Sequence, residues 1–140
     1  MIAPAVEEFL RAHTRTFLVT VRDDGGPVCH PMVGLWQSGA LYMNTYRKSA
    51  KARNIAREPR VACVVVTDDA EPRFRGVVLR GRAEIVPPRA PSAERGEPTG
   101  PRPPGVGDDV ASLVQTRLAE GKRVVVRLVP DEVRLVGDHG

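Results

Sequence analysis

The pattern of hydrophobic and polar positions changes its period early in the chain. Residues Ala3 to His13 carry apolar side chains at helical spacing, with Pro4 near the start, and this predicts a short amphipathic helix. From Thr14 onward the side chains alternate with a period of two, which is typical of a strand. Residues 23–26 (Asp-Asp-Gly-Gly) tolerate a positive φ, so we expect a hairpin turn there.

Six segments in all have the composition of β-strands. They are residues 14–22, 27–36, 40–45, 60–67, 73–86 and 123–136. Gly76 and Gly81 are candidate bulge positions in the fifth segment, and Pro130 and Asp131 are expected to break the sixth. Turn signals rather than helices separate most neighbours. The sequence therefore predicts a mainly β protein, a small antiparallel barrel with short helices, and excludes a doubly wound parallel sheet.

Two further helices are predicted. Ser49 is a suitable N-cap for a helix that continues to Arg57 and stops at Glu58, because the residue before a proline disfavours the α region. A third helix is expected to begin at Asp108. The segment 87–108 is rich in proline and nearly free of apolar side chains, so we expect a loop, either disordered or acting as a lid, and favour disorder.

Length and composition restrict the class of protein. A chain of 140 residues with 41% hydrophobic content is predicted to form one compact domain, residues 1–140, of a cytoplasmic protein. No apolar run approaches the roughly 18 to 20 residues that span a bilayer, and charged residues interrupt the segment where a signal peptide is apolar. Cys29 and Cys63 lie in apolar strand-like runs, so we expect both to be small buried hydrophobes. The histidines are far apart in sequence, and no metal site is expected.

Positive charge is concentrated between Arg47 and Arg60. This segment holds six basic residues and one acidic residue, a local net charge of +5, whereas the whole chain carries +4. Four of the cations surround the predicted helix start, where the helix dipole and unpaired N–H groups already favour an anion. We therefore interpret Ser49 and Lys51, with Asn54 three residues on, as a phosphate site. For the two arginines of the same helix, a solvated face that covers apolar surface is at least as good an interpretation.

Several short motifs occur in an order that resembles a known family. They are Val-Thr-Val-Arg at 19–22, Gly-Gly-Pro-Val-x-x-Pro-Met-Val at 25–33, Leu-Tyr-Met-Asn-Thr at 41–45, Ser-x-Lys-x-x-Asn-Ile at 49–55, Pro-Arg-Val at 59–61 and Arg-Gly-Arg-Ala-Glu at 80–84. Their order and spacing are similar to those of the pyridoxamine 5′-phosphate oxidase-like split-barrel family, in particular its short flavin and deazaflavin oxidoreductases.

The resemblance implies a six-stranded antiparallel split β-barrel that forms a homodimer, with FMN or the deazaflavin coenzyme F-420 bound at the subunit interface. It also implies which residues form the cofactor site. The phosphate would be held by Ser49, Lys51 and Asn54, with Lys48 or else Arg47 in place of an arginine that many relatives carry. The ring system would be lined by residues of the two strands before the helix, namely His30, Pro31, Met32, Val33, Asn44 and Thr45.

The function that follows is hydride transfer between F-420 and a small organic substrate. An FMN-dependent oxidoreductase, or a protein that binds flavin without turnover, is the alternative. Because the cofactor carries the chemistry, no catalytic side chain is required; His30 is a weak candidate proton donor, and a structural role for it is favoured. A nucleic-acid-binding barrel ranks last, since only six aromatic residues are available for base stacking. We expect neither nucleic acid nor a membrane as partner.

Overall fold

A computed structural model of the chain describes residues 2–86 and 122–137, which contain two helices and six strands. The elements are α1 (Pro4–Ala12), β1 (Arg15–Val21), β2 (Pro27–Gln37), β3 (Ala40–Tyr46), α2 (Ala50–Arg57), β4 (Arg60–Val66), β5 (Arg75–Val86) and β6 (Arg123–Gly137). The strands close into an antiparallel barrel in the order β1-β2-β3-β6-β5-β4, so the predicted six-stranded antiparallel barrel is confirmed. The helix predicted from Asp108 and the proline-rich segment 87–108 lie outside the described residues.

Alternate side chains of each strand fill the barrel. Leu18, Leu41, Val65, Leu79 and Leu128, from five different strands, are fully buried there. On β1 the inward set also includes two threonines, whereas the outward residues Phe17, Val19 and Val21 are apolar and half-buried. The burial of these side chains removes apolar surface from water and stabilises the closed sheet.

The two hairpin turns of the first half have the backbone that their sequences demand. In the turn between β1 and β2, Gly25 has a φ of 86°. In the turn between β2 and β3, Ser38 and Gly39 have φ values of 52° and 78° between the paired residues Gln37 and Ala40. Two consecutive positive φ values define a two-residue turn whose twist matches that of the flanking strands.

Strand β6 is continuous, so the predicted break at Pro130 and Asp131 was wrong. The pairing with β5 shifts at this point, because Arg80 faces Glu132 whereas Gly81 faces Pro130. Asp131 is thus the extra residue of a β-bulge, and the bulge absorbs the proline without ending the strand. Gly81 lies at this bulge, as predicted, while Gly76 pairs in regular register with Val66 and Val136.

Helices α1 and α2 lie at opposite ends of β1. Helix α1 leads into the start of β1 and buries Val6, Phe9 and Leu10. Arg57, in the last turn of α2, donates a 2.8 Å hydrogen bond to the carbonyl of Val21 at the end of β1. Both helices have the predicted extent within one residue. In the described residues no helix combines the length and the apolar character that a membrane crossing requires.

The two cysteines lie on opposite faces of the sheet. Cys63 is buried in the barrel, and burial raises the pKa of its thiol to about 12. Cys29 is exposed, so the expectation that both cysteines are buried was wrong for this residue. It pairs with Val19, an outward residue of β1, and alternation along β2 places it outside as well.

Candidate functional site

The start of α2 has the hydrogen-bonding pattern predicted for it. The hydroxyl of Ser49 accepts a 3.1 Å hydrogen bond from the backbone N–H of Ala52 and lies 3.1 Å from the hydroxyl of Thr45. The carbonyl of Ser49 accepts from the N–H of Arg53. Within the described residues the N–H groups of Ala50 and Lys51 have no hydrogen-bond partner, as is usual for a first helical turn. Two backbone donors are therefore left for a ligand.

The cations around this helix start are not neutralised by any carboxylate among the described residues. In the part of the chain that the structure describes, the side chains of Arg47, Lys48, Lys51 and Arg53 form no ion pair. Helix α2 also has no acidic residue in its first turn. Cations at a helix N-terminus oppose the helix dipole, so the arrangement is favourable when an anion joins it. The geometry can hold a phosphate group.

A pocket of about 520 Å³ lies between one face of α2 and the β1–β2 hairpin. Its lining is strongly basic, with one carboxylate, and consists of Arg22, Asp23, Val28, His30, Ala50, Arg53, Asn54 and Arg57. Two of the predicted site residues, His30 and Asn54, meet in this pocket. The helix start with Ser49 and Lys51 adjoins it through Ala50.

A chain of hydrogen bonds runs from α2 to the pocket. Arg57 donates to the side-chain oxygen of Asn54 at 3.1 Å, and the Asn54 amide nitrogen donates to the hydroxyl of Thr20 at 3.0 Å. The same hydroxyl lies 3.2 Å from Nε2 of His30. Asn54 is 7% exposed and Thr20 is fully buried. Their hydrogen bonds therefore tie α2 to strands β1 and β2 inside the protein, where an unpaired polar group is costly.

His30 is held toward its neutral form. Partial burial lowers the pKa of its imidazole, and the positive charge of Lys51 lowers it further. Both effects disfavour the positively charged form of the imidazole in an already basic pocket. The second effect also indicates that Lys51 and His30 are close enough to interact.

The remaining predicted site residues are distributed over both faces of the sheet. Thr45 is buried next to Ser49, and Met32 packs against the core. Pro31 and Val33 are exposed and alternate with the inward residues of β2. Asn44 alternates with buried neighbours on β3, and Lys48 is exposed in the turn before α2. The roles of these residues in binding a cofactor stay predictions.

Sequence reasoning missed Thr20. Its signal was present, because Thr16 and Thr20 occupy the same alternate positions of β1 as the core residue Leu18. A polar side chain on a core-facing position needs a buried hydrogen-bond partner, but that partner cannot be identified from the sequence. In the described residues there is also no group of three or more His, Cys, Asp or Glu side chains that could hold a metal ion.

Comparison of the sequence with models of protein families identifies one family. The sequence model of pyridoxamine 5′-phosphate oxidase matches residues 2–137. Among solved structures, a conserved hypothetical protein from Mycobacterium tuberculosis is 30% identical, with a TM-score of 0.71, over 99% of this chain and 87% of its own. An F-420 reductase is 28% identical, with a TM-score of 0.62, over 95% of this chain and 98% of its own.

A third solved structure is similar in fold alone. The heme binding protein from Mycobacterium smegmatis is 22% identical, with a TM-score of 0.68, over 100% of this chain and 57% of its own. No curated protein matches the sequence significantly. Since the family model spans nearly the whole chain, the protein belongs to the pyridoxamine 5′-phosphate oxidase family.

Proposed function

We propose that this protein binds coenzyme F-420 and transfers a hydride between it and a small organic substrate. The observation that carries the proposal is the start of α2. There, two backbone N–H groups without a partner and four cations without an ion pair among residues 2–86 and 122–137 adjoin a pocket of about 520 Å³. A phosphate on the cofactor would complete this arrangement, because no carboxylate of the described residues forms an ion pair with these four cations.

The residues present fit such a phosphate. The N–H groups of Ala50 and Lys51 can donate to its oxygens, and the Lys51 ammonium can add a charge-assisted hydrogen bond. Ser49 already uses its hydroxyl to cap the helix, so its contribution is to fix the direction of the first turn. Lys48 and Arg47 are exposed beside the same turn and would contribute mainly by their charge.

The chemistry of hydride transfer would come from the deazaflavin ring. The task of the protein is then to hold the phosphate at one end and to orient the ring and the substrate over the pocket. Val28 and His30 of β2 provide an apolar surface and a polar ring at the pocket wall. No described side chain is required to form a covalent bond.

F-420 is favoured over FMN by the similarity to an F-420 reductase at 28% identity over nearly the full length of both chains. FMN is the second candidate, since its phosphate would fit the same helix start. The heme binding protein of similar fold is 22% identical, and that similarity extends to the fold alone.

A second copy of the chain is proposed to cover the outer apolar face, which we define as Phe17, Val19, Pro31, Val64 and Val78. These residues are neighbours, because Phe17 pairs with Pro31 on one side and Val64 on the other, and Val64 pairs with Val78. An antiparallel sheet that faces water on one side normally carries polar residues there. In support, Phe74 is 59% exposed beside Phe17 and Val64, on the rim of a groove of about 540 Å³. The homodimer, with the cofactor at its subunit interface, is part of this proposal.

Fluorescence titration of the purified protein tests the proposal. F-420, FMN and heme are titrated separately into the wild type, Lys51→Met and Arg11→Met. Arg11→Met is a matched control, because this substitution also removes one positive charge but does so on α1, at the opposite end of β1. We expect saturable F-420 binding that Lys51→Met weakens by about tenfold to a hundredfold, as for the loss of a hydrogen bond to a charged group, and that Arg11→Met leaves unchanged.

Three outcomes would contradict the assignment. Tight FMN binding without F-420 binding would show that the cofactor is FMN, and the assignment of the phosphate site would stand. Binding of heme alone would refute both the proposed cofactor and the proposed phosphate site. Equal affinity of Lys51→Met and the wild type for F-420 would remove Lys51 and the helix start from the site.

A further inference from the structure

The hydrogen bonds between α2 and His30 have a definite direction. A guanidinium can only donate, so the Asn54 oxygen must face Arg57 and the Asn54 amide nitrogen must face Thr20. The Thr20 hydroxyl thus accepts from Asn54 and retains one proton of its own. In the described residues, its remaining hydrogen-bond neighbour is Nε2 of His30, at 3.2 Å.

Two arrangements of that last contact are possible, and burial distinguishes them. If Nε2 carried a proton, it would donate to Thr20, and the hydroxyl proton of a fully buried side chain would have no acceptor. If Nε2 is unprotonated, it accepts from Thr20, and the buried hydroxyl proton has its acceptor. The second arrangement is favoured, since an unsatisfied buried donor is costly.

We infer that Arg57, Asn54 and Thr20 are positioning residues that hold His30 as the neutral tautomer with its proton on Nδ1. Nδ1 makes no hydrogen bond within the part of the chain that the structure describes, and His30 lines the pocket. The ring therefore offers one N–H donor to whatever occupies the pocket. The matching ligand atom is an acceptor without a proton, such as a carbonyl oxygen or an unprotonated ring nitrogen.

The surroundings of His30 support this assignment. Burial and the charge of Lys51 lower the pKa of the imidazole, so the ring is kept from accepting the second proton that would make both nitrogens donors. Arg22, Arg53 and Arg57 also line the pocket and oppose a further positive charge, against one carboxylate, Asp23. A neutral ring in this environment can take only one of two tautomers, and the Thr20 hydroxyl selects between them.

The inference deepens the proposed function, because the ligand that receives the Nδ1 proton donor would be the cofactor or substrate of the same pocket. The selection of the tautomer itself does not depend on which ligand binds. Measuring the tautomer in the free protein therefore separates the two proposals. If neither F-420 nor FMN binds, the proposed function is refuted, whereas the tautomer assignment is still tested by the measurement on the free protein.

The ¹⁵N chemical shifts of the His30 ring, recorded on the free protein near pH 8, test the assignment, since neutral histidine predominates there. Thr20→Val removes the hydroxyl at nearly constant volume, and Thr20→Ser retains it. We expect the Nδ1–H tautomer in the wild type and in Thr20→Ser, and a shift toward Nε2–H in Thr20→Val. A wild-type ring with its proton on Nε2, or a ring whose tautomer does not respond to Thr20→Val, would overturn the inference.

Ligand binding tests the donor role of Nδ1. With F-420 and FMN as probes, Thr20→Val should bind the cofactor that the wild type binds up to about tenfold more weakly, while Thr20→Ser should retain wild-type affinity. If Thr20→Val proves unfolded, the wild-type and Thr20→Ser shifts still decide the tautomer. Unchanged affinity in a folded Thr20→Val whose tautomer has switched would overturn the donor role.

Discussion

Nε2 of His13 lies 2.6 Å from a carboxylate oxygen of Glu71, 58 residues away in the sequence. His13 caps the C-terminus of α1, and its Nδ1 lies 2.9 Å from the carbonyl of Phe9. Glu71 belongs to the segment between β4 and β5 and also accepts from Arg75 at 3.2 Å. The contact therefore joins the first helix to a loop of the barrel, at the end opposite the candidate site.

This contact predicts a pH-dependent contribution to stability. The hydrogen bond from His13 lowers the pKa of Glu71 below its ordinary value of 4.5, and that from Arg75 lowers it further. A carboxyl group whose pKa is lower in the folded state stabilises the fold above its unfolded pKa and loses that contribution as the pH falls through the folded value. Glu71→Gln should therefore lower the melting temperature at pH 7, and the difference from wild type should narrow below pH 4.5. Glu8→Gln, which changes an exposed residue of α1, should cause no such difference. A difference in melting temperature between Glu71→Gln and the wild type that does not depend on pH would contradict the prediction.

The pKa of His30 should respond to Lys51 only in part. Burial is the larger cause of its lowered pKa and the charge of Lys51 the smaller. In Lys51→Met the pKa, measured by NMR titration of the ring, should rise but stay below 6.5. Arg11→Met should leave it unchanged, because Arg11 lies at the far end of β1. A Lys51→Met protein with the wild-type His30 pKa would show that the two side chains do not interact.

Ser49 should affect stability and anion binding separately. Ser49→Ala removes the N-cap hydrogen bond to Ala52 and should lower the free energy of unfolding by about 0.5–2 kcal/mol in urea denaturation. Ser49→Asp can still cap the helix, so it should retain most of that stability, while its negative charge repels a phosphate. Loss of F-420 or FMN affinity in Ser49→Asp without loss of stability is the expected result. Unimpaired cofactor binding by Ser49→Asp would argue against a phosphate at this turn.

Gly81 should be less tolerant of a side chain than Gly76. A Cβ at Gly81 would lie 2.8 Å from the Cα of Pro130, a backbone atom of the bulge that cannot move without shifting β6. At Gly76 the nearest atom is a methyl group of Val136, at 3.1 Å. Gly81→Ala should therefore destabilise the protein by about 1–3 kcal/mol, as overpacking does, and Gly76→Ala by less. The free energies of unfolding of the two variants, measured in the same denaturant, test which substitution is the more destabilising. Equal values would contradict the prediction.

The outer apolar face should control assembly. Val64→Arg places a charge at the centre of that face and should weaken self-association by about a hundredfold or more, measured by sedimentation velocity over a range of concentrations. Ala5→Arg adds the same charge on exposed α1 and should leave assembly unchanged. A wild-type protein that is monomeric at all concentrations would refute the proposed homodimer.

Much of the fold was predictable because its signals are local. The N-cap at Ser49 and the proline after Glu58 fix both ends of α2 without reference to the rest of the chain. Period-two alternation and the turn residues between strands gave the strands within a few residues. The bulge at Asp131 was not predictable in this way, since whether a proline ends a strand or is absorbed depends on the partner, here Gly81.

By itself, the sequence determined the six strands, the two described helices and the concentration of cations at the start of α2, because each depends on residues close together in the chain. The tertiary structure decided which face of each strand is inside. Alternation shows that Thr16, Leu18 and Thr20 share a face and that Phe17, Val19 and Val21 share the other, but the second set is the more apolar and still lies outside. The pairing of β1 with β2 and the packing of α2 against this hairpin bring Thr20, His30 and Asn54 into contact from three separate elements. Such contacts arise from pairing register and burial over the whole barrel, which no local pattern encodes.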